Sequence, residues 1–454
     1  MNNERAFQAV RTMSRRNFMR AAAAAVGFPM VVRAQTLGSG APSNRITLGI
    51  IGCGNQCEQD LKQFLSMEDV QVAAVCDVNR ASYGYKTKEQ YLGREPIRDR
   101  VNKAYAKRSE TGAFKGCDMY SDFREVLARK DIDAVAIITP DHWHAIQTIR
   151  AAAAGKDIYC QKPLGLTVRD GQEMVRAVRA AGRVLQTGSQ WRSTPVIRQF
   201  CEAVRNGVVG RPQRVTAYVA PNNFKGPGPG WRPMPVPDGF DYEMWLGPAP
   251  LAPYHADRCL YKFRFVSDYS GGQTTNFGHH SIGVAMWALG LDATGPEEVW
   301  NMGAEWPEPG DLFTTATKVH FGCRFAGGLE LECVTSPKSF GVRVEGDNGW
   351  IETNGRKIEA SSPAFANWTP TPDSVRLYDS PNHYRNFIDC VKSRQEPAEP
   401  VETGHRVSSV CHLGNIAMKL DRRLQWDPKA ERFVNDASAD ALLQTVRRTP
   451  WHCV

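Results

Sequence analysis

Arg45-Ile46-Thr47-Leu48-Gly49-Ile50-Ile51-Gly52-Cys53-Gly54-Asn55-Gln56-Cys57 joins a strand-like apolar run to a glycine-rich turn, and a helical pattern follows. Strand, glycine turn and helix in this order form a dinucleotide-binding fingerprint. Gly52 permits the tight turn, and Gly54 lets backbone N–H groups approach a pyrophosphate at the start of the helix, where Asn55 lies. Cys57 stands where the motif has its third glycine. The stretch predicts a parallel α/β fold for this half of the chain.

The second predicted strand runs from Val70 to Cys76 and ends at Asp77, 25 positions after Gly52. A carboxylate at about this spacing binds the adenine-ribose hydroxyls and repels a 2′-phosphate, so the sequence favours NAD over NADP. Arg80 lies close enough in sequence to contact a 2′-phosphate, so NADP remains an alternative cofactor. The alternative interpretation of Asp77 is a helix cap.

Two later strand ends carry polar residues. A continuous apolar strand is predicted from Ile132 to Ile138 and is followed by Thr139-Pro140-Asp141-His142-Trp143-His144. A second short strand, Ile158 to Cys160, leads into Gln161-Lys162-Pro163, where the proline ends the strand. Ligands of open α/β sheets bind at this edge. Lys162 is therefore either a surface charge or a cation held over a cofactor.

The amino terminus matches the pattern of an export signal. Ser14-Arg15-Arg16-Asn17-Phe18-Met19-Arg20 matches the twin-arginine pattern, and an apolar run from Ala21 to Val32 precedes small residues that allow cleavage after Ala34. A bilayer span needs about 20 apolar residues, so this run is too short. We predict a signal peptide at 1–34, a linker at 35–44, a periplasmic location and no stable membrane anchor after cleavage.

Charge and cysteine content narrow the classes of function. The formal net charge is +8, and residues 1–34 hold six arginines and one glutamate, which leaves +3 for the rest of the chain. No basic stripe with interleaved aromatics is present, so nucleic-acid binding is not predicted. The twelve cysteines are scattered and are predicted to be mostly buried apolar residues. The sequence does not decide whether Cys323 and Cys333 form a disulfide.

The pattern changes after residue 190 to alternating strands separated by longer loops. We predict a dinucleotide-binding domain at 45–190 and a second α+β domain at 191–454, with a helical insertion at 80–118. Period-two alternation typical of an antiparallel sheet with one covered face marks Val215 to Val219, Lys318 to Phe321, Gly328 to Thr335 and Val342 to Glu345.

Four further motifs join those at the two strand ends: Gly188 to Ser193, Trp245 to Pro250, Asp268 to Gly272 and Leu413 to Ala417. With them, nearly all of residues 45 to 454 resembles the glucose-fructose oxidoreductase and inositol dehydrogenase (Gfo/Idh/MocA) family, in its exported bacterial branch. The resemblance implies an N-terminal Rossmann domain that binds NAD(P). It also implies a C-terminal α+β domain with a large, mostly antiparallel open sheet, whose free face often joins subunits into a homo-oligomer.

The resemblance also assigns catalytic roles. Within Gly271 to His280, relatives usually carry aspartate at the position of Asn276 and the catalytic histidine at that of His280. A histidine can take a hydroxyl proton near neutral pH. Lys162 can donate to the substrate oxygen and stabilise developing negative charge, and we expect Asn276 to orient His280 by a hydrogen bond. Relatives also carry aspartate at the position of Gly283.

Gln161 likewise replaces the glutamate that usually precedes the lysine. Because Gln161 and Asn276 both lack the expected negative charge, we predict a lower pKa for His280 than in relatives. The cofactor-binding set is predicted to be Gly52, Gly54, Asn55, Asp77, Thr139, His144 and Lys162.

Four residues are candidate substrate contacts. Trp231 lies on a Pro/Gly-rich stretch and either stacks on a sugar face or packs within its loop. The family motifs supply the other three, Trp191, Arg192 and His279. The histidines at 142, 144, 279 and 280 lack the accompanying carboxylate pattern of a metal site, so no metal is predicted.

Export constrains the choice among functions. The periplasm does not supply soluble NAD, so a cofactor carried out with the folded protein must be held tightly and recycled in place. We favour an oxidoreductase acting on a carbohydrate hydroxyl. The alternatives are a redox-neutral NAD-dependent glycoside hydrolase or lyase, and a non-catalytic protein that binds cofactor or sugar.

Overall fold

The first sheet is parallel and buried on both faces. The computed structural model describes residues 44–109, 112, 114–337 and 340–452, so the predicted leader lies outside the described residues. Within them, six strands pair in the order β5-β2-β1-β6-β7-β8, all parallel. Their bounds are β1 Ile46–Ile51, β2 Val70–Cys76, β5 Asp118–Tyr120, β6 Ala134–Ile137, β7 Asp157–Cys160 and β8 Leu185–Thr187. The strand order reverses between β1 and β6, which opens a crevice at the carboxyl ends of these strands.

Helices cover both faces of this sheet. One face packs against α1 (Asn55–Leu65), α2 (Arg94–Ala106) and α11 (His383–Ser393), and the other against α3 (Phe123–Ala128), α4 (Asp141–Ala153) and α5 (Val168–Ala180). Phe387 of α11 is fully buried beside Phe64 of α1. A helix from the second half of the chain therefore completes the core of the first sheet. From Ile46 onward the described chain forms one compact unit, and the domain boundary at residue 190 stays a prediction.

The stretch 80–118 is only partly helical. It contains a short hairpin, β3 (Ser82–Tyr83) paired with β4 (Tyr91–Leu92), before α2 begins. Gly84 and Gly93 take positive φ angles of 87° and 129°, which a helix cannot accommodate. The prediction of a helical insertion is correct for α2 and wrong for the hairpin.

The second sheet is large and mostly antiparallel, as the family resemblance implies. Among the described residues, nine strands pair in the order β15-β14-β13-β9-β12-β11-β10-β16-β17, and β9 and β12 are the one parallel pair. Their bounds are β9 Pro212–Val219, β10 Glu298–Asn301, β11 His320–Arg324, β12 Glu330–Thr335, β13 Gly341–Gly346, β14 Gly349–Thr353, β15 Ile358–Ala360, β16 Leu424–Asp427 and β17 Arg432–Phe433.

One face of this sheet is covered by α6 (Pro195–Arg205), α9 (Gly278–Leu289) and α12 (Val401–Leu420). Short helices complete the described elements, namely α7 Tyr242–Leu246, α8 Gln273–Asn276, α10 Pro363–Ala366 and α13 Ala437–Asp440. No helix in the described part of the chain is both long enough and apolar enough to cross a membrane.

The register of β11 and β12 decides the open question about a disulfide. Cys323 pairs with Leu331, and Cys333 pairs with Phe321, so the two cysteines are not opposite each other. Both are buried and free. Their thiols act as small apolar side chains in the core.

A close contact between α12 and the second sheet gives a test of this packing. A methyl group on Gly414 would lie 2.4 Å from the Phe321 ring, whereas one on Gly283 would lie 3.4 Å from Val407. We expect Gly414→Ala to lower the free energy of unfolding by about 1–3 kcal/mol through overpacking. The matched control Gly283→Ala should be neutral or stabilising by up to about 1 kcal/mol. Urea denaturation measures both, and equal effects would contradict the packing described.

Candidate active site

A deep cleft lies where the carboxyl ends of β1, β2, β6 and β7 face the segment 240–264. It encloses about 1180 Å³, part of which is open to solvent. The floor is formed by the residues that follow the four strands. The roof is largely aromatic and includes Phe240, Trp245, Tyr261 and Phe263. Of the predicted cofactor-binding residues, the cleft is lined by Gly52, Gly54, Asn55, Asp77, Thr139 and Lys162.

The glycine turn has the geometry that a dinucleotide needs. Gly52 has a φ of 99°, and a Cβ there would lie 2.5 Å from the carbonyl oxygen of Ile138. Gly54 is the N-cap residue of α1 and gives that helix no side-chain cap. The Cys57 N–H donates to the Gly54 oxygen, so the N–H groups of Asn55 and Gln56, which line the cleft, are the ones placed to bind a ligand. These residues fit a bound diphosphate.

Asp77 faces the same cleft. Its carboxylate accepts hydrogen bonds from the backbone N–H of Cys53 at 2.6 Å and of Asn79 at 2.8 Å. Burial raises the pKa of Asp77, and the two N–H donors oppose that shift. The helix-cap alternative is wrong because neither donor belongs to a helix. Arg80 is exposed and does not line the cleft.

Lys162 and Asn276 join the two halves of the site. The Lys162 Nζ lies 2.8 Å from the backbone oxygen of Asn276 and 3.0 Å from its Oδ1. Burial lowers the pKa of Lys162 to about 8, although the carboxylate of Asp141 opposes the shift. The side-chain nitrogen of Asn276 donates to Gln273 at 3.0 Å. The expectation that Asn276 orients His280 is therefore corrected, because the Asn276 amide is bonded to Lys162 and Gln273 instead.

His280 is the third residue of α9 and is half-buried beside Trp191, with 5.9 Å between ring centroids. Its Nδ1 has no hydrogen-bond partner among the described residues. Burial, followed by the charge of Lys162, lowers the pKa of His280 well below its ordinary value. The ring is therefore neutral at physiological pH. That this pKa is also lower than in relatives stays a prediction.

Arg192 and His279, both predicted to contact substrate, lie in a buried ionic network. Arg192 donates to the two carboxylate oxygens of Asp292 at 2.9 and 2.7 Å. Glu399 lies 3.2 Å from His279 Nε2 and 3.5 Å from Arg192 Nε. Neither Arg192 nor His279 lines the cleft. Their assignment as substrate contacts is corrected, because both side chains are held inside the protein by these charges.

The two candidate tryptophans are placed differently. Trp191 stacks on Phe340 with 4.6 Å between centroids and lies next to His280. Trp231 packs under the guanidinium of Arg258 at 5.3 Å and against the His255 ring. Neither Trp191 nor Trp231 lines the cleft. The structure favours loop packing for Trp231, and the role of Trp191 as a substrate contact stays a prediction.

His144 lies outside the cleft lining and connects two of the strand ends that form the cleft floor. Its two ring nitrogens each lie 2.8 Å from a backbone oxygen, that of Thr139 and that of Pro163. The buried ring therefore ties the ends of β6 and β7 together without lining the cleft. No group of three potential metal-ligating side chains converges in the described part of the chain.

Two charged residues of the cleft are missing from the predicted set. Asp141 begins α4, accepts from the Ser270 hydroxyl at 2.6 Å and has its pKa raised by burial. Arg264 reaches the cleft from a 3₁₀ turn in the roof, and burial lowers its pKa. Asp141 stands at a strand end and could have been inferred from that position. Arg264 lies on irregular chain and gives no such signal.

The structure also accounts for Gln161. Its side-chain nitrogen donates to the carboxylate of Asp60 at 2.7 Å, and the Tyr384 hydroxyl donates to the same group at 2.7 Å. Asp60 is fully buried. A glutamate at 161 would set two carboxylates against each other, so an amide is the compatible side chain next to Lys162.

Comparison with known proteins agrees with this geometry. Residues 194–453 match the C-terminal α/β domain of the Gfo/Idh/MocA oxidoreductase family, and residues 95–189 match its NAD-binding Rossmann fold. The chain belongs to the Gfo/Idh/MocA oxidoreductase family. This membership confirms the predicted fold class and the predicted NAD-binding domain.

Individual relatives match shorter stretches. The chain is 41% identical over 88 residues to a 1,5-anhydro-D-fructose reductase from Ensifer adhaerens, covering 19% of this chain and 26% of the relative. It is 31% identical over 132 residues to a glycosyl hydrolase family 109 protein from Shewanella sp. (strain W3-18-1), covering 29% and 25%. The chain thus spans about a quarter of these curated relatives.

Solved structures share the fold over most of the chain. The WlbA dehydrogenase from Bordetella pertussis, in complex with NADH and UDP-GlcNAcA, has a TM-score of 0.59 at 17% identity and covers 84% of this chain and 99% of its own. An aldose-aldose oxidoreductase from Caulobacter crescentus, complexed with glycerol, has a TM-score of 0.57 at 20% identity with coverage of 84% and 99%.

The contact between Lys162 and Asn276 predicts a measurable titration. Lys162 should be half-protonated near pH 8. Asn276→Asp would place a carboxylate against the amine, favour its charged form and raise that pKa. Acetylation with acetic anhydride across a pH series, quantified at Lys162 by peptide mass spectrometry, measures both values. Asn354→Asp, at an exposed turn, is the control. An unchanged Lys162 titration in Asn276→Asp would contradict the contact.

Proposed function

We propose that the protein is an NAD(P)-dependent oxidoreductase that acts on a carbohydrate hydroxyl with a tightly bound, internally recycled cofactor. The observation that carries the proposal is the half-buried Lys162 amine, which faces the same cleft as the glycine turn and Asp77. This places a proton donor beside the site for a dinucleotide. NAD is the favoured cofactor because Asp77 lines the cleft and Arg80 does not.

The names of relatives support a sugar as substrate. They include the 1,5-anhydro-D-fructose reductase, the aldose-aldose oxidoreductase and a levoglucosan dehydrogenase from Pseudarthrobacter phenanthrenivorans. The last is 37% identical over 91 residues, 20% of this chain and 23% of the relative. A sugar hydroxyl is a substrate class that needs one hydrogen-bond donor and one base. Lys162 lines the cleft and is the proposed donor, whereas the proposed base, His280, lies on α9 outside the cleft lining.

The residues divide the chemistry between them. A bound nicotinamide supplies the acceptor for the hydrogen that leaves the sugar carbon with its electron pair. Lys162 donates a hydrogen bond to the sugar oxygen and stabilises the negative charge that develops there. His280, four residues after Asn276 and beside Trp191, is the proposed base that takes the hydroxyl proton as the carbon becomes a carbonyl; its buried Nδ1 has no hydrogen-bond partner among the described residues. Asp141 favours the charged form of Lys162.

A redox-neutral glycoside hydrolase or lyase is the second candidate. The match to the family 109 glycosyl hydrolase spans 132 residues, against 88 for the reductase. In this reaction, oxidation of a sugar hydroxyl acidifies the neighbouring C–H bond, and elimination breaks the glycosidic bond. In a hydrolase, water then adds across the double bond, and the ketone is reduced again; a lyase omits the addition of water. Lys162 and His280 would serve the oxidation and its reversal in the same way.

Purification of the mature chain, followed by mass spectrometry of released nucleotide and incubation with free sugars and glycosides, separates the candidates. We expect bound NAD and a keto-sugar product. Cleaved glycoside would support the second candidate, and absence of any bound or binding nucleotide would leave a sugar-binding protein. Lys162→Met should lower kcat by about 10²–10³-fold. Lys130→Met, at an exposed position, is the matched control and should leave kcat unchanged.

We also propose export by the twin-arginine pathway to the periplasm, on the strength of Arg15-Arg16 and the apolar run that follows. This agrees with a cofactor that is bound before export. Arg15→Lys combined with Arg16→Lys should keep the protein in the cytoplasm at full length, as measured by fractionation and immunoblotting. Arg11→Lys is the control, because it makes the same change outside the pair and should be exported normally. Export of the double variant at the normal level would contradict the proposal.

A homo-oligomer is the proposed assembly. The face of the second sheet opposite the covering helices carries half-buried side chains from neighbouring strands, and the guanidinium of Arg343 lies 4.0 Å above the Trp350 ring. Such a face of polar and aromatic groups suits contact with a second copy of the chain.

A further inference from the structure

The hairpin formed by β3 and β4 folds over the glycine turn. Tyr85, in the loop of this hairpin, lines the cleft and is only 6% exposed. A Cβ added to Gly54 would lie 3.2 Å from the Tyr85 ring. The ring therefore packs directly against the turn that fits a diphosphate, at the wall of the cleft.

Hydrogen bonds hold Tyr85 in this position. The side-chain nitrogen of Asn79 donates to the Tyr85 hydroxyl at 2.8 Å, and the Asn79 backbone N–H donates to Asp77 at 2.8 Å. Tyr85 is thus linked through one residue to the carboxylate predicted to bind the ribose. Burial raises the pKa of Tyr85 well above its ordinary value, so the phenol stays neutral.

The returning arm of the hairpin is fixed to the fingerprint itself. The Gln90 side chain donates to the Asn55 side chain at 3.0 Å and to Glu58. The backbone N–H of Gly93 donates to the oxygen of Cys53 at 3.3 Å. The hairpin is therefore attached at the middle of the glycine turn and at the first turn of α1.

The base of the hairpin is also attached to the roof of the cleft. The Arg80 N–H donates to the Gly239 oxygen at 2.8 Å, and the Asp241 N–H donates to the Val78 oxygen at 3.1 Å. These bonds join the end of β2 to the segment that covers the cleft from the second half of the chain. A nucleotide on the glycine turn would be enclosed between Tyr85 and this roof.

We propose that the hairpin from Ser82 to Leu92 is a clasp that retains the cofactor, with Tyr85 and Gln90 as its functional residues. The clasp rests on the proposed function, because it acts on the nucleotide proposed there. The hairpin must lift before the nucleotide leaves, so the dissociation rate reports on its bonds. An exported enzyme that cannot recruit new cofactor needs such slow release.

The test compares release of bound nucleotide from the full-length mature protein and three variants. Nucleotide released after dilution is consumed by an enzyme added in excess, and the protein-bound remainder is measured over time. Tyr85→Ala should raise the dissociation rate by about tenfold, the change expected for loss of one aromatic contact. Gln90→Ala should raise it as well. Tyr83→Ala is the matched control, because Tyr83 lies on the same hairpin, is 65% exposed and contacts Tyr91 rather than the glycine turn.

The experiment separates a failure of the clasp from a failure of the proposed function. Circular dichroism checks the fold of each variant, and Gln90→Ala carries the test if Tyr85→Ala does not fold. Faster release from Tyr85→Ala or Gln90→Ala, with Tyr83→Ala unchanged, supports the clasp. Unchanged release from the folded variants overturns the clasp and leaves the proposed function intact. A wild-type protein that neither contains nor binds nucleotide overturns both.

Discussion

The hydrogen bonds from the Lys162 amine to Asn276 are the contact on which the site depends. Lys162 follows β7 of the first sheet. Asn276 is the last residue of α8, which leads into α9, a helix that covers the second sheet. The contact therefore sets the distance between the dinucleotide turn and the helix that carries His280. Because the amine is partly shielded from water, an ammonium group there without a hydrogen-bond partner would destabilise the folded protein.

The charges around this contact differ from those that the family motifs suggest. Asn276 and Gln161 remove two negative charges next to Lys162, yet Asp141 faces the same cleft and Asp60 lies behind Gln161. The electrostatic support for the lysine thus comes from other positions. His280 has no such support: burial lowers its pKa most, and the charge of Lys162 lowers it further.

Local pattern was enough to predict the parallel sheet, since β2 runs from Val70 to Cys76 as its apolar run indicates. It also placed Asp77 and Lys162 at strand ends, where topology brings them into one cleft. It could not place Arg192, because its partner Asp292 is 100 residues away in sequence. Arg264 was missed because irregular chain has no periodicity that indicates where a side chain points.

We propose that a hydrogen passes from a sugar carbon to a nucleotide that is already bound to the protein. To test this directly, the purified protein is incubated, without added cofactor, with a sugar deuterated at its ring carbons. The nucleotide is then released and its mass is measured by mass spectrometry. The account predicts a reduced nucleotide that carries one deuterium. A nucleotide that stays unlabelled while the sugar is converted would contradict it.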